Sequence, residues 1–502
     1  MGNSLQNLIQ GFSFSFGVSN YLMAAFGTLL GIVIGALPGL TATTGVSIFL
    51  PMTFYMPTVE AFGFLLGIYC GGTYGGSITA ILINTPGTPS AAATAIEGYE
   101  MSKKGMAKKA LEAALYASFV GGIISCVALI FISPILAAFA AKFGNPEYFV
   151  LGLFGISIVA SLSTGNMVKG LIAACLGLTL SFVGMDPING ALRLTFGSVS
   201  MQAGITTIPA LIALFACGEL LLQGEDVYKT EVVEVQKIKG DHIHFKEFIR
   251  YWKQMLISSF IGCFIGAVPG TGGGIAAFTA YNAAQKMSKH KEEFGKGTIE
   301  GIFAAESGNN GVTGATMIPL LTLGIPGDAV TAVLLGALMI QGLTPGPNLF
   351  KGKDAQTIFG IFALLIVCNI FMLVFGKIGL PLFAKVTDIP KEILQPIVMA
   401  LCCIGTFAAA NRMYELRVML VIAVVAYLMK KMNMPTAPAL LALILGPTVE
   451  AYMRRGLIAK RGSLVKMFSG RPIAITILVI TLIMIVYSAI GEIRGTKHTD
   501  ED

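Results

Sequence analysis

Two stretches of this chain place hydroxyls, amides and glycines inside runs that are otherwise apolar. The first, Gly71 to Ser90, reads GGTYGGSITAILINTPGTPS, and the second, Glu306 to Asp328, reads ESGNNGVTGATMIPLLTLGIPGD. Proline removes an amide donor and glycine loosens the backbone, so a helix is expected to break near Asn84-Thr85-Pro86-Gly87 and again at Pro326-Gly327. Such breaks offer ligand binding. Amides freed at a helix N-terminus, backed by the helix dipole, suit a carboxylate. Gly39, Gly87, Gly270, Gly272, Gly273 and Gly327 let an anion approach the backbone, and Thr41, Thr43, Thr44, Thr85, Thr88 and Thr271 add hydroxyls. Asn84, Asn309 and Asn310 offer amide donors, and carbonyl oxygens suited to a small hard cation such as Na⁺. Glu306 and Asp328 border the second break, where an acid can bind a coupling cation or carry a proton.

Each residue also has a plainer reading. Gly31 and Gly35 have the spacing of close helix packing, and the three asparagines read equally as hydrogen-bond donors between helices. Glu306 and Asp328 could sit at wet helix ends. The residues just after each Pro-Gly are read as functional, because a broken backbone survives in hydrocarbon only where it is buried in protein or lines a polar cavity.

The elements that must hold these residues are membrane helices. The chain is 55% hydrophobic and only 12% charged over 502 residues, with a mean hydropathy of +0.77. Soluble domains carry about 25% charged residues. The net charge of +7 comes without basic-aromatic interleaving, which excludes nucleic acid as a partner and fits cytoplasmic loops. Eight cysteines lie in apolar runs without a CxxC and read as packing residues; Cys402-Cys403 suggests no role. No GxxxxGK[ST] occurs, which argues against an ATP-driven pump, and no cofactor is expected. Four histidines, none in an apolar segment, leave a membrane-embedded enzyme poorly supported. His242 and His244 read as solvated surface, while Lys169 and Arg193 read as snorkelling at segment ends.

The fold expected is an all-α polytopic membrane protein of about 12–14 segments. Its parts would be a first membrane repeat (1–222), a cytoplasmic hydrophilic linker (223–253) and a second repeat (254–502). Basic residues first appear at Lys103, so the N-terminus is expected outside and the 103–109 loop inside. Four crossings would then reach the linker. The run 437–450 is expected to be too short to span, which keeps Arg454 to Arg471 inside and puts the acidic C-terminus outside.

The halves echo each other. Gly31-Ile-Val-Ile-Gly35-Ala-Leu-Pro38-Gly39 matches Gly262-Cys-Phe-Ile-Gly266-Ala-Val-Pro269-Gly270, and a second Pro-Gly follows 48 residues after Pro38 and 57 after Pro269. Starting from opposite faces, the two would be inverted repeats with broken, re-entrant helices, a recurring design of secondary transporters.

At GALPGLTATTG, YGGSITAILINTPGTPSAAATAIEGY, GAVPGTGGG and LGIPGD the chain resembles the large membrane subunit of the tripartite tricarboxylate transporters, the TctA type. The resemblance covers nearly the whole length. It implies a bacterial inner-membrane, secondary-active carrier of citrate or a related carboxylate, driven by Na⁺ or H⁺. It also implies two partners, a periplasmic substrate-binding protein and a small four-helix membrane subunit. An elevator cycle, an anion channel and a carrier of another small organic anion are the readings to be separated.

Overall fold

The computed structural model describes residues 2–162, 167–186, 188–226, 238, 242–386, 389 and 391–499. Residues 227–237 and 239–241 of the expected linker, and the acidic end of the chain at 500–502, lie outside the described residues. The chain is an all-α polytopic membrane protein. Among the described residues six helices are long and apolar enough to cross a membrane, and four shorter apolar helices accompany them.

In chain order, α1 (Gly2–Ser15), α2 (Val18–Gly35), α3 (Ala42–Phe49), α4 (Thr58–Ile83), α5 (Ala92–Lys103) and α6 (Ala107–Ala140) come first. Then follow α7 (Asn145–Leu162), α8 (Met167–Ser181), the short antiparallel strands β1 (Gly184–Met185) and β2 (Leu192–Arg193), α9 (Thr207–Leu211), a π-helical turn at Ile212–Cys217 and α10 (Gly218–Asp226). The rest comprises α11 (Phe245–Arg250), α12 (Trp252–Gly266), α13 (Gly272–Met287), α14 (Ile299–Ala315), α15 (Met317–Leu323), α16 (Ala329–Ile340), α17 (Gly352–Val386), α18 (Lys391–Ala410), α19 (Met413–Lys431), α20 (Ala437–Ala459), α21 (Leu464–Phe468) and α22 (Pro472–Thr499).

Two compact units form, each drawn from both halves of the chain: Met1–Ala138 with Gln223–Leu401, and Phe139–Leu222 with Cys402–Asp502. The first unit contains the four Pro-Gly pairs of the two repeats. Its frame is two glycine seams. A Cβ on Gly31 would stand 2.6 Å from the Ile68 carbonyl oxygen, and one on Gly75 would stand 2.5 Å from that of Ile32. Gly27 lies against Phe64, Gly31 against Ile68 and Gly35 against Gly72, so α2 and α4 run side by side in the same direction. The second half repeats this, with Gly262 against Gly308 and Gly266 against Val312 holding α12 along α14. Backbone approach this close is the usual work of small residues in membrane helices. α4 and α14 run in opposite directions, since Tyr69 reaches Thr316 while Ser77 reaches Glu306.

The breaks fall where Pro and Gly dictate. α4 ends at Ile83, and Asn84 caps it in the left-handed region at φ 53°; α15 ends at Leu323, and Gly324 does the same at φ 74°. Gly39 (φ 87°) and Gly270 (φ 80°) turn the chain after α2 and α12. Within the linker, His242 is not merely solvated: its Nδ1 lies 2.5 Å from Glu112 and its Nε2 2.8 Å from Lys108. That pairing docks the stretch before α11 on the start of α6, because Glu112 is buried and its carboxylate also accepts the Ile243 amide.

The second unit corrects the expected topology. The run at 437–450 is only the first part of α20, which continues to Ala459. Gly177 lies against Ala439 and Gly446 against Ser181, so α8 and α20 run in the same direction. Arg454 bonds Asp186 at 2.7 Å, and Arg193 bonds Glu450 at 2.9 Å, so Arg193 is a member of an ion cluster rather than a snorkelling side chain. Tyr148 stacks on Tyr452 at 5.0 Å, and Arg471 faces Glu147 at 3.7 Å. Arg454 and Arg471 therefore share one end of the unit with the β1–β2 hairpin and the start of α7. Paired acids neutralise these arginines, and a count of basic residues alone cannot register that. Lys169 donates to the Met432 carbonyl at 2.7 Å.

Candidate functional site

The four Pro-Gly breaks open four helix N-termini, and the side chains treat them differently. α3 is capped: the Thr41 hydroxyl accepts from the Thr44 amide at 3.1 Å and pairs with the Thr44 hydroxyl at 3.0 Å. α16 is capped as well: the Asp328 carboxylate accepts from the Thr331 amide at 2.7 Å, the Thr331 hydroxyl at 2.6 Å and the Tyr69 hydroxyl at 2.7 Å. α13 carries no side-chain cap, because the Thr271 hydroxyl turns back to the carbonyls of Ile265 in α12 and of Val268 just after it. The turn Pro89–Ala91 that leads into α5 is also uncapped, and the Thr88 hydroxyl pairs with that of Ser90 at 3.0 Å.

Packing brings the breaks together. The Gly270 amide donates to the Gly327 carbonyl at 2.9 Å, joining both breaks of the second half. α13 packs on the Pro89–Ala91 turn and on α5, and α3 packs on α16. Gly273 is required where it stands: a Cβ there would lie 2.7 Å from Asn309 Oδ1 and 3.2 Å from the Ser90 Cβ. Gly87 and Gly327 are seated alike, the first against Gly35, Gly76 and Thr79, the second against Gly266 and Thr316.

Not every predicted residue joins. Asn84 is exposed and Thr85 donates to the Ile83 carbonyl, so both belong to the α4 cap. Gly39 is covered by Gln223, whose amide donates to its carbonyl at 2.6 Å. Thr43 is half-buried and accepts the Ser47 hydroxyl on its carbonyl. Gly272 stands beside Asp328.

Glu306 is fully buried in α14. Ser77 of α4 donates to its Oε1 at 2.5 Å, and Thr94 of α5 donates to the same oxygen; Ser118 of α6 reaches Oε2 at 2.9 Å and Asn310 at 3.2 Å. Asn310 also donates to Ser118 at 2.8 Å. All four partners are neutral, from four different helices. Asn309, one turn along, is 1% exposed and adds a weaker side-chain hydrogen bond to the Glu306 carboxylate.

Sequence reasoning missed Ser77, Thr94 and Ser118. Ser77 lay inside the first polar stretch, yet nothing in that stretch says which face it takes. It also missed Glu97, a second buried acid, which accepts from the amides of Gly295, Gly297 and Thr298 and from the Tyr281 hydroxyl. Its burial signal was present: an acid in an apolar run asks for a partner.

A family model described as the tripartite tricarboxylate transporter TctA family matches residues 21–441. The chain belongs to this family. The TctA protein is thus a transporter's membrane subunit rather than an enzyme, and the tripartite architecture implies a substrate-binding protein and a small membrane subunit as partners. It is 35% identical, over 99% of its length and 98% of the relative's, to an uncharacterised 52.8 kDa protein in the TAR-I ttuC′ 3′ region of Agrobacterium vitis. It is 33% identical to an uncharacterised protein in the TAR-II ttuC′ 3′ region of the same organism, over 47% of this chain and 97% of that one. No solved structure matches the chain.

Proposed function

We propose that this TctA subunit carries out cation-coupled, secondary-active uptake of a citrate-like tri- or dicarboxylate across the bacterial inner membrane. A periplasmic binding protein would deliver the solute, and a small four-helix subunit would complete the carrier. The observation that supports it best is Glu306: a buried carboxylate ringed by neutral hydroxyls and an amide, beside the first turn of α5. An anionic solute bound near an ionised Glu306 is repelled. A proton or Na⁺ taken up there removes the repulsion, so solute and cation bind together. Asp328 is the other acid at the breaks, and its carboxylate is already held by Thr331 and Tyr69.

Two further points belong to the same reading. The matching seams, with α4 and α14 running in opposite directions, support two inverted repeats whose broken helices line the binding place. The breaks all lie in one compact unit, which supports an elevator cycle in which that unit slides as a body against the remaining helices. Proteoliposomes carrying the three subunits test the whole. Labelled citrate should accumulate with an inward Na⁺ or proton gradient and show counterflow. Uptake indifferent to both gradients would overturn the coupling, and flux without counterflow would mark a channel. Disulfides placed between the Pro-Gly elements and the remaining helices should stop transport under the elevator reading; unaffected flux would reject it.

A further inference from the structure

At one end of the second unit the chain spends its acids on three arginines and leaves four other cations alone. Arg193 and Arg454 share Asp186 and Glu450, and Arg471 faces Glu147. Arg455, Lys460, Arg461 and Lys466 follow Arg454 in the chain; all four are exposed, and none has an acidic partner among the described residues. The fold around them is fixed. Ser463 caps α21 by accepting from the Lys466 amide at 3.3 Å, and Met467 packs on Gly456 of α20, where a Cβ would stand 2.6 Å from its methyl carbon. Met467 is thereby turned in and buried, while Leu464 and Val465 beside it, and Ile458 on α20, are 54%, 82% and 68% exposed.

We infer that this surface, from Arg455 to Lys466, binds anionic phospholipid. The stretch lies where the chain leaves the membrane and returns to it: the buried apolar run of α20 ends at Val449, and the next apolar helix begins at Pro472. Two kinds of exposed side chain are interleaved there, and one neighbour suits both. The acyl region of a bilayer takes Ile458, Leu464 and Val465, while lysine and arginine lay their stems along apolar surface and lift their charges to the headgroups. A zwitterionic headgroup carries no net charge to offset four cations. An anionic one does, and gains roughly fivefold in affinity for each basic residue near the surface. An acidic protein face would match the cations and leave the apolar side chains between them unmatched. Arg193, Arg454 and Arg471 need no lipid, because Asp186, Glu450 and Glu147 already hold them.

The test uses the purified full-length chain in phosphatidylcholine vesicles with a rising share of phosphatidylglycerol. Trp252 is the only tryptophan, so Trp252→Phe combined with Val465→Trp leaves a single fluorophore, placed on this surface. Lipids with brominated acyl chains quench a tryptophan that they touch. Quenching should give phosphatidylglycerol a binding constant at least about fivefold above that of phosphatidylcholine, the worth of one such charge. In about 1 M salt, where the screening length is about 3 Å, the ratio should approach one. Adding Arg455→Gln, Lys460→Gln, Arg461→Gln and Lys466→Gln should bring it within about twofold of one. Lys466→Gln alone should lower it part of the way, and carries the test if gel filtration shows the fourfold variant misfolded. Equal quenching by the two lipids in the unneutralised chain, or a preference that survives both salt and neutralisation, would overturn the inference. No quenching by either lipid would overturn it too, and would give the basic surface to an acidic protein.

Discussion

Replacing Glu306 by Gln removes one negative charge and keeps the side chain's shape. The four donors around it are three hydroxyls and the Asn310 amide. Hydroxyls rotate and can accept from the new amide, so folding should survive the change. The binding energetics should not. Asn309 is one helical turn from Glu306, and a turn rises about 5.4 Å. A solute carboxylate lying about one turn from Glu306 and off the α14 axis would then be on the order of 8 Å from its carboxylate. At an effective dielectric constant near 20 the repulsion is about 2 kcal/mol, roughly a thirtyfold change in affinity. In the wild type, citrate should therefore bind about thirtyfold more tightly once a proton or Na⁺ neutralises Glu306. Glu306→Gln should bind citrate tightly throughout, with that dependence on pH and Na⁺ gone. Titration of labelled citrate against the purified chain, with and without Na⁺ at several pH values, reads this directly. A variant that keeps the wild-type dependence would refute the coupling role of Glu306.

Three other outcomes follow from the packing. Glu97→Gln should destabilise the chain by about 3 kcal/mol, because three backbone amides lose a charged acceptor; thermal unfolding, and faster tryptic cutting at Lys291 and Lys296, would show it. Gly311→Ala puts a Cβ 2.7 Å from the Ser259 carbonyl oxygen and should cost on the order of 2 kcal/mol or prevent folding, read as lost monodispersity in detergent. The Ile188 amide and then the Arg454 guanidinium hold the Asp186 carboxyl below its ordinary range. A lowered folded pKa contributes stability above the ordinary value of about 4 and loses it as pH falls below. Asp186→Asn should therefore lower the melting temperature at neutral pH, and the gap from wild type should close in acid.

The breaks were legible because Pro and Gly act on their own backbone: the ends of α4 and α15 and the turns at Gly39 and Gly270 needed no tertiary information. The packing role of Gly31 and Gly35 was likewise written in their spacing. What surrounds Glu306 was not, since Ser77, Thr94 and Ser118 meet it only through the crossing of three other helices. The capping was half visible: a Thr or Asp after Pro-Gly suggests a cap, but Thr271 spends its hydroxyl on α12 instead. α20 exceeded its apolar run because Glu450 and Arg454 have partners that hydropathy cannot see.

The seam between α2 and α4 fixes more than distance. Each glycine receives a carbonyl of the opposite helix, so sliding one helix past the other would drive side chains into backbone. A single deletion between Gly27 and Gly31 would turn Gly31 and Gly35 about 100° out of register and leave no fitting alternative. The two helices are one stiff rod in mechanical terms, and a push at the Gly39 end arrives undiminished beside Thr58.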